Sequence, residues 1–135
     1  MTKIQVDSNG KAIILNGKAL IASEGGVTPT GSISITENGT YFKGTELVAD
    51  DGMIHDDDRI RYVAGFLEWL EKAIAEGFDV RGYYLWSLMD NFEWTAAYNY
   101  KFGILSTDIA TGETKWKKSA YFYRDFIKMA KEREI

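Results

Sequence analysis

The chain has 135 residues, 45% of them hydrophobic and 27% charged, with a formal net charge of −4. At about 150 residues per domain this predicts one domain, or one with an appendage, and an acidic chain without a basic cluster excludes the phosphate-tracking surface of a nucleic-acid binder. With no cysteine and a single histidine, His55, disulfides, thiolate catalysis, cysteine-ligated zinc and multi-histidine metal centres are excluded, and neither metal nor cofactor is expected. No apolar run reaches the roughly 18 residues of a membrane helix, and residues 1–10 lack the apolar stretch of a signal peptide. The expected compartment is therefore cytoplasmic, with no membrane contact.

Composition divides the chain. All the aromatic residues lie from Tyr41 onward, and residues 1–40 carry Lys3, Lys11 and Lys18 against Asp7, Glu24 and Glu37. The first part reads as β-structure. Ile4 and Val6 alternate with polar residues, Ser8-Asn9-Gly10 turns, and Ala12-Ile13-Ile14-Leu15 is an apolar run. Asn16-Gly17 turns again before Ala19-Leu20-Ile21-Ala22. Asn-Gly between apolar runs is the strongest short-range hairpin signal, so a three-stranded meander is expected. The segment 25–32 holds Gly25-Gly26 and the only proline, Pro29, and reads as a linker.

Beyond it strand and helix alternate. Ser32-Ile33-Ser34-Ile35-Thr36 predicts a strand ending at Glu37-Asn38-Gly39. Asp56-Asp57-Asp58 is a helix start. Ile60, Val63, Leu67, Leu70 and Ile74 then lie three and four apart, as on a helix core face, and Gly77 suits the position after the helix end. Residues 80–88 predict a strand and 102–108 another, with Thr111-Gly112 as its turn. Ser119 is a candidate cap for a last helix bearing Tyr123, Phe126, Ile127 and Ala130 on one face. This order implies a right-handed parallel βαβ unit.

Two places could carry chemistry. Glu37 stands where a strand passes into a Gly-containing loop, the edge at which parallel α/β proteins put functional groups. A carboxylate there can serve as nucleophile or general base; the alternative is a solvated Glu in a turn. Trp86-Ser87-Leu88-Met89-Asp90-Asn91-Phe92-Glu93-Trp94 also follows a strand. Indole faces stack on the apolar face of a pyranose while carboxylates and amides accept its hydroxyl protons; the alternative is a core tryptophan pair near a helix cap. His55 among Asp50, Asp51, Asp56, Asp57 and Asp58 does not have EF-hand spacing and reads as a solvated acidic loop with a cap. Asn38-Gly39-Thr40 is a glycosylation sequon without a secretory context. Lys115, Lys117 and Lys118 around Trp116 read as the solvated approach to the last helix.

Both places resemble glycoside hydrolase family 1, the β-glucosidase type. Ile35-Thr36-Glu37-Asn38-Gly39 is similar to that family's nucleophile motif. Gly52-Met53-Ile54-His55-Asp56, Arg59-Ile60 and Gly77-Phe78-Asp79-Val80-Arg81-Gly82-Tyr83 resemble its next loop, helix and strand. The segment 86–94, Tyr98 and Lys101-Phe102-Gly103 resemble its glucose-binding stretch, and Lys118-Ser119-Ala120 with Tyr123 its last helix. The likeness covers about residues 33–131. It implies Glu37 as catalytic nucleophile, Glu93 gripping the 4- and 6-hydroxyls of the sugar, Trp94 donating its indole N–H, Trp86 flooring the site and Phe102 lining it. Asn-Phe-Glu-Trp is similar to the branch acting on unphosphorylated glycosides.

The resemblance also implies a (β/α)8 barrel, which takes about 250 residues. The expectation here is an α/β chain forming a partial TIM-barrel segment, its last two βα units (residues 33–135), preceded by a short β-meander and linker of unknown origin (residues 1–32). Retaining hydrolysis needs a second carboxyl about 5–5.5 Å from the nucleophile. The family carries it in an Asn-Glu-Pro triplet absent from this sequence, and Glu24, at another strand end, is the one substitute. The leading expectation is a β-glucosidase segment binding a β-glucoside or glucose, inactive alone, that self-associates or joins a complementary barrel fragment. The others are a working hydrolase, through Glu24 or acids of neighbouring copies, and a carbohydrate-binding or self-assembling module without catalysis.

Overall fold

The computed structural model describes residues 14–15, 18–19 and 32–133, the side chains from residue 38 onward. Strands β1 (Ile14–Leu15) and β2 (Lys18–Ala19) pair antiparallel, Ile14 opposite Ala19 and Leu15 opposite Lys18. The other expected strand of the meander, the linker and Glu24 lie outside the described residues.

The described residues divide into two units, one of residues up to Asn38 with Val63–Leu85, the other of Gly39–Tyr62 with residues from Trp86 on. In the first, β3 (Ser32–Asn38) pairs parallel with β5 (Asp79–Leu85). The connection includes helix α1 (Asp57–Ala75), so the expected parallel βαβ arrangement is present. The ladder is irregular twice. Ile33 faces Val80 while Ser34 faces Gly82, and Ile35 faces Tyr83 while Asn38 faces Leu85. The second shift gives β3 one extra residue within Thr36-Glu37, a bulge at the strand's end. Bulges of this kind re-aim side chains and often lie beside functional sites.

Helix α1 starts with Asp57 and Asp58 in its first turn and has Lys72 in its last, each matching the helix dipole. It closes in a Schellman motif: Gly77 has φ 93°, its N–H donates to the Ile74 carbonyl at 3.0 Å, and the Phe78 N–H donates to Ala73 at 3.1 Å. Phe78 and Ala73 are both buried, the apolar contact that accompanies this motif. The buried stripe is Val63, Phe66, Leu67, Leu70 and Ala73. Ile74, expected in the core, is 54% exposed: Phe66 and Ala73 draw the stripe about 100° away from it, one residue's rotation.

In the second unit β4 (Phe42–Lys43) pairs antiparallel with β6 (Tyr100–Lys101), and β7 (Leu105–Thr107) with β8 (Thr114–Trp116). The β7–β8 turn is set by Asp108, whose Oδ1 accepts the N–H groups of Ala110 and Thr111 at 2.9 Å each. Gly112 supplies φ 75° there. The expected strand over 80–88 stops at Leu85. Beyond it the Ser87 N–H donates to Phe102 O (3.2 Å), the Ile104 N–H to Ser87 O (3.0 Å) and the Leu105 N–H to Leu88 O (2.9 Å), so residues 87–88 are hydrogen-bonded to 102–105.

Helix α2 (Lys118–Arg133) begins one residue before the expected cap. Ser119 lies inside the first turn, and its N–H donates to Asp56 Oδ1 (2.8 Å) while its hydroxyl donates to Asp56 Oδ2 (2.5 Å). The cap is therefore supplied across the chain by Asp56. Of the expected apolar face, Tyr123, Phe126 and Ala130 are half-buried and Ile127 is exposed; Ser119 and Ala120 are the buried residues of this helix. No helix among the described residues is long and apolar enough to cross a membrane.

Candidate active site

The segment following β5 holds most of the expected sugar-binding residues. The Trp86–Ser87 peptide bond is cis. Trp86 Nε1–H donates to Glu93 Oε1 at 3.1 Å, which brings together two residues seven apart in sequence. A carboxylate offers about four acceptor directions, so one indole bond leaves Glu93 able to accept protons from two further hydroxyls. Trp94 is 85% exposed and starts a single turn of 3-10 helix, Trp94–Ala96. The turn is tied at its base: Glu93 N–H donates to Ala97 O (2.8 Å), Ala96 N–H to Glu93 O (2.8 Å) and Ala97 N–H to Trp94 O (3.1 Å). Trp94 (φ 42°) and Ala97 (φ 49°) both sit at positive φ. Such backbone costs about 1–3 kcal/mol per residue and persists only where the surroundings over-determine it.

Phe102 is half-buried against Tyr41, ring centroids 5.4 Å apart, and Tyr41 in turn stacks on Tyr100 at 4.4 Å. Its carbonyl receives the Ser87 N–H, so it is joined to the Trp86 segment through the main chain. Gly39 approaches the same place: a Cβ there would stand 1.8 Å from the Trp86 carbonyl oxygen, leaving no room for a side chain.

Glu37 belongs to the first unit, at the β3 bulge. Its neighbour Asn38 is buried, and Asn38 Oδ1 accepts the Tyr83 hydroxyl proton at 2.8 Å. That bond ties the end of β3 to β5. The sequence reading names both residues within motifs but does not pair them.

The acidic loop departs from expectation. Asp56 is not solvated: its carboxylate is almost buried and holds Arg59 as well as Ser119. Asp57 pairs with Lys118 at 2.5 Å and Asp58 with Arg61. Asp51 accepts the Met53 N–H at 2.9 Å and contacts His55 Nε2 at 2.7 Å; the backbone donor first, then His55, hold its carboxyl below the ordinary value. Among the described residues no group of three or more acidic or histidine side chains is placed to hold a metal ion.

Lys117 also departs from expectation. It is 0% exposed and bridges Glu46 Oε2 and Asp90 Oδ1, the latter at 3.0 Å. Arg59, also buried, reaches Glu46 Oε1 (3.2 Å), Asp56 and the Lys101 carbonyl (2.6 Å). Asp90 Oδ1 also accepts the Gly103 N–H at 2.9 Å. Five charged side chains thus form one network, and no spacing in the sequence announces it. A pocket of about 470 Å3 lies between loop 40–49 and the start of α1. Its lining includes none of Trp86, Glu93, Trp94 or Phe102.

The Glycosyl hydrolase family 1 profile matches residues 27–132. The chain belongs to glycosyl hydrolase family 1. It is 43% identical over 97 residues to β-glucosidase A of Acetivibrio thermocellus, a match covering 72% of this chain and 21% of that protein. It is 42% identical over 103 residues to a 6-phospho-β-galactosidase of Staphylococcus aureus, covering 76% of this chain and 21% of the relative. Among solved structures, the family 1 β-glucosidase of Thermotoga maritima in complex with glucoimidazole superposes with a TM-score of 0.68 at 41% identity, over 72% of this chain and 22% of that one. The chain therefore spans about a fifth of the length of the family 1 relatives it matches.

Proposed function

We propose that this chain carries the nucleophile and part of the glucose site of a retaining β-glucosidase, as the last two βα units of a (β/α)8 barrel. Residues 33–135 are the barrel segment and residues 1–32 an appended meander and linker. The observation that carries the reading is the Trp86–Glu93 pair at 3.1 Å, an indole and a carboxylate hydrogen-bonded across seven residues beside an exposed Trp94. That combination suits a sugar ring, which presents apolar C–H faces and hydroxyl edges together.

In this reading Glu37 attacks the anomeric carbon, the glycosidic bond breaks with its electron pair leaving on the aglycone oxygen, and water later releases the sugar. Glu93 accepts protons from the 4- and 6-hydroxyls, Trp94 donates its indole N–H, and Trp86 and Phe102 bound the site. The acid that protonates the leaving group comes from a complementary barrel fragment, so the chain alone does not turn over. The branch is the one acting on unphosphorylated glycosides, on the strength of Asn91-Phe92-Glu93-Trp94.

A 2-deoxy-2-fluoroglucoside with a very good leaving group tests this, because it needs little general-acid help and traps the glycosyl-enzyme. Intact mass is recorded for the chain alone and mixed with the N-terminal portion of a family 1 β-glucosidase. A mass increase on mixing that Glu37→Gln abolishes is the expected result. No adduct under either condition would remove the hydrolase reading. A sugar-binding module without chemistry, the reading that Trp94's exposure favours, would then be tested by glucose titration of its indole fluorescence.

A further inference from the structure

The strained turn at 93–97 is anchored from outside itself, by main-chain bonds of β4 and Gly44 to residues 99–101 and by buried charges. The turn is flanked by Asp90 on one side and by Lys101 and Gly103 on the other. Asp90 holds the returning chain by accepting the Gly103 N–H, and Lys117 holds Asp90. Arg59 grips the Lys101 carbonyl, and Glu46 joins Arg59 to Lys117. Between these fixed ends stand Phe92, Glu93 and Trp94.

We propose that Lys117 is a positioning residue: by bridging Asp90 and Glu46 it holds the positive-φ turn that presents Glu93 and Trp94. The purpose of this arrangement rests on the glycosidase reading above; its geometry does not. An ammonium with no exposed surface loses its hydration, and a buried ion pair is commonly no more stabilising than apolar packing of the same volume. Stability alone therefore gives little reason for a lysine here. Direction does: an ammonium with three donors fixes where the Asp90 carboxylate lies, and Asp90 is three residues before Glu93. Two residues held at positive φ require such over-determination.

The test uses the indole N–H resonances of the full chain labelled with 15N. Trp86 and Trp94 report the turn, and Trp69 on α1 serves as the internal reference. Asp90→Asn keeps an oxygen for the Gly103 N–H while removing the charge that Lys117 orients; Lys117→Met removes the ammonium and keeps the stem. Both variants are expected to shift or broaden the Trp86 and Trp94 resonances while Trp69 stays in place. If Lys117→Met fails to fold, Asp90→Asn decides by itself. Unchanged Trp86 and Trp94 resonances in a folded variant would overturn the proposal, as would displacement of all the indole signals together, which marks general loosening. In the mixed barrel, Asp90→Asn is expected to slow labelling of Glu37 roughly tenfold or more, the scale of a small misplacement. Indole shifts without any labelling in the unsubstituted chain would keep the positioning role and remove the glycosidase reading, so the two fail separately.

Discussion

Gly103 is the residue on which the candidate site depends most closely. A Cβ at this position would stand 2.2 Å from Asp90 N, 2.3 Å from Met89 C and 2.5 Å from Leu105 O. All three are main-chain atoms, so no rotamer change relieves the overlap. Gly103→Ala is expected to destabilise the chain by about 3 kcal/mol or more, the upper range for overpacking, seen as a lower urea midpoint at unchanged slope. A fall below about 0.5 kcal/mol, the ordinary range for surface changes, would mean that the strands part easily here. Side chains tell a different story from spacing. Lys117 stands beside Lys115 and Lys118 around Trp116 and reads as solvated, yet it is fully buried. Its partners, Glu46 and Asp90, come from distant parts of the chain, and sequence spacing carries no trace of such pairing.

Among the elements, α1 was the most legible, since its acidic start, apolar repeat and terminal Gly77 are all local signals. Gly77→Ala puts a Cβ on a left-handed residue and is expected to cost about 1–2 kcal/mol, measured as a drop in Tm with helix content retained. An unchanged Tm would show that another ending replaces the Schellman motif without loss. The face of that helix was less legible than its extent. Ile74 fits the spacing, but which stripe is buried depends on what packs there, and Phe66 and Ala73 prevailed. Strands β4, β6 and β8 are two or three residues long, too short for alternation to mark them. The cap of α2 is not legible for a different reason: Asp56, which supplies it, is 63 residues from Ser119.

At the scale of the molecule, charge and open edges govern behaviour. The carboxyls of Asp51, Asp57, Asp79, Asp108 and Asp125 are all held below their ordinary value, by the Met53 N–H, Lys118, Arg81, the Thr111 N–H and Arg124 respectively as the largest cause. Depressed folded-state values contribute stability that is fully present above the unfolded value of 3.8 and is lost as pH falls through the folded values. Tm is accordingly expected to hold between about pH 7 and 5 and to fall below about pH 4; a Tm that rises on acidification would contradict these pairings. Among the described residues β3 and β5 form a two-stranded parallel sheet, and unpaired edges invite further strands. Sedimentation velocity is expected to reveal concentration-dependent association of the chain alone, relieved by the complementary fragment. A single monomeric species across a hundredfold concentration range would remove the open-edge argument.

The sequence by itself determined the family, the helix α1 with its ending, the parallel pairing of the strands around it, and the motifs at Glu37 and 86–94, because each is written in contiguous residues or in a local period. Tertiary structure alone decided that Glu93 holds the Trp86 indole, that Asp56 caps a helix 63 residues away, and that Lys117 and Arg59 are buried among carboxylates. Those outcomes depend on which charges meet once water is excluded, and a charge's partner in three dimensions is not a function of its neighbours along the chain.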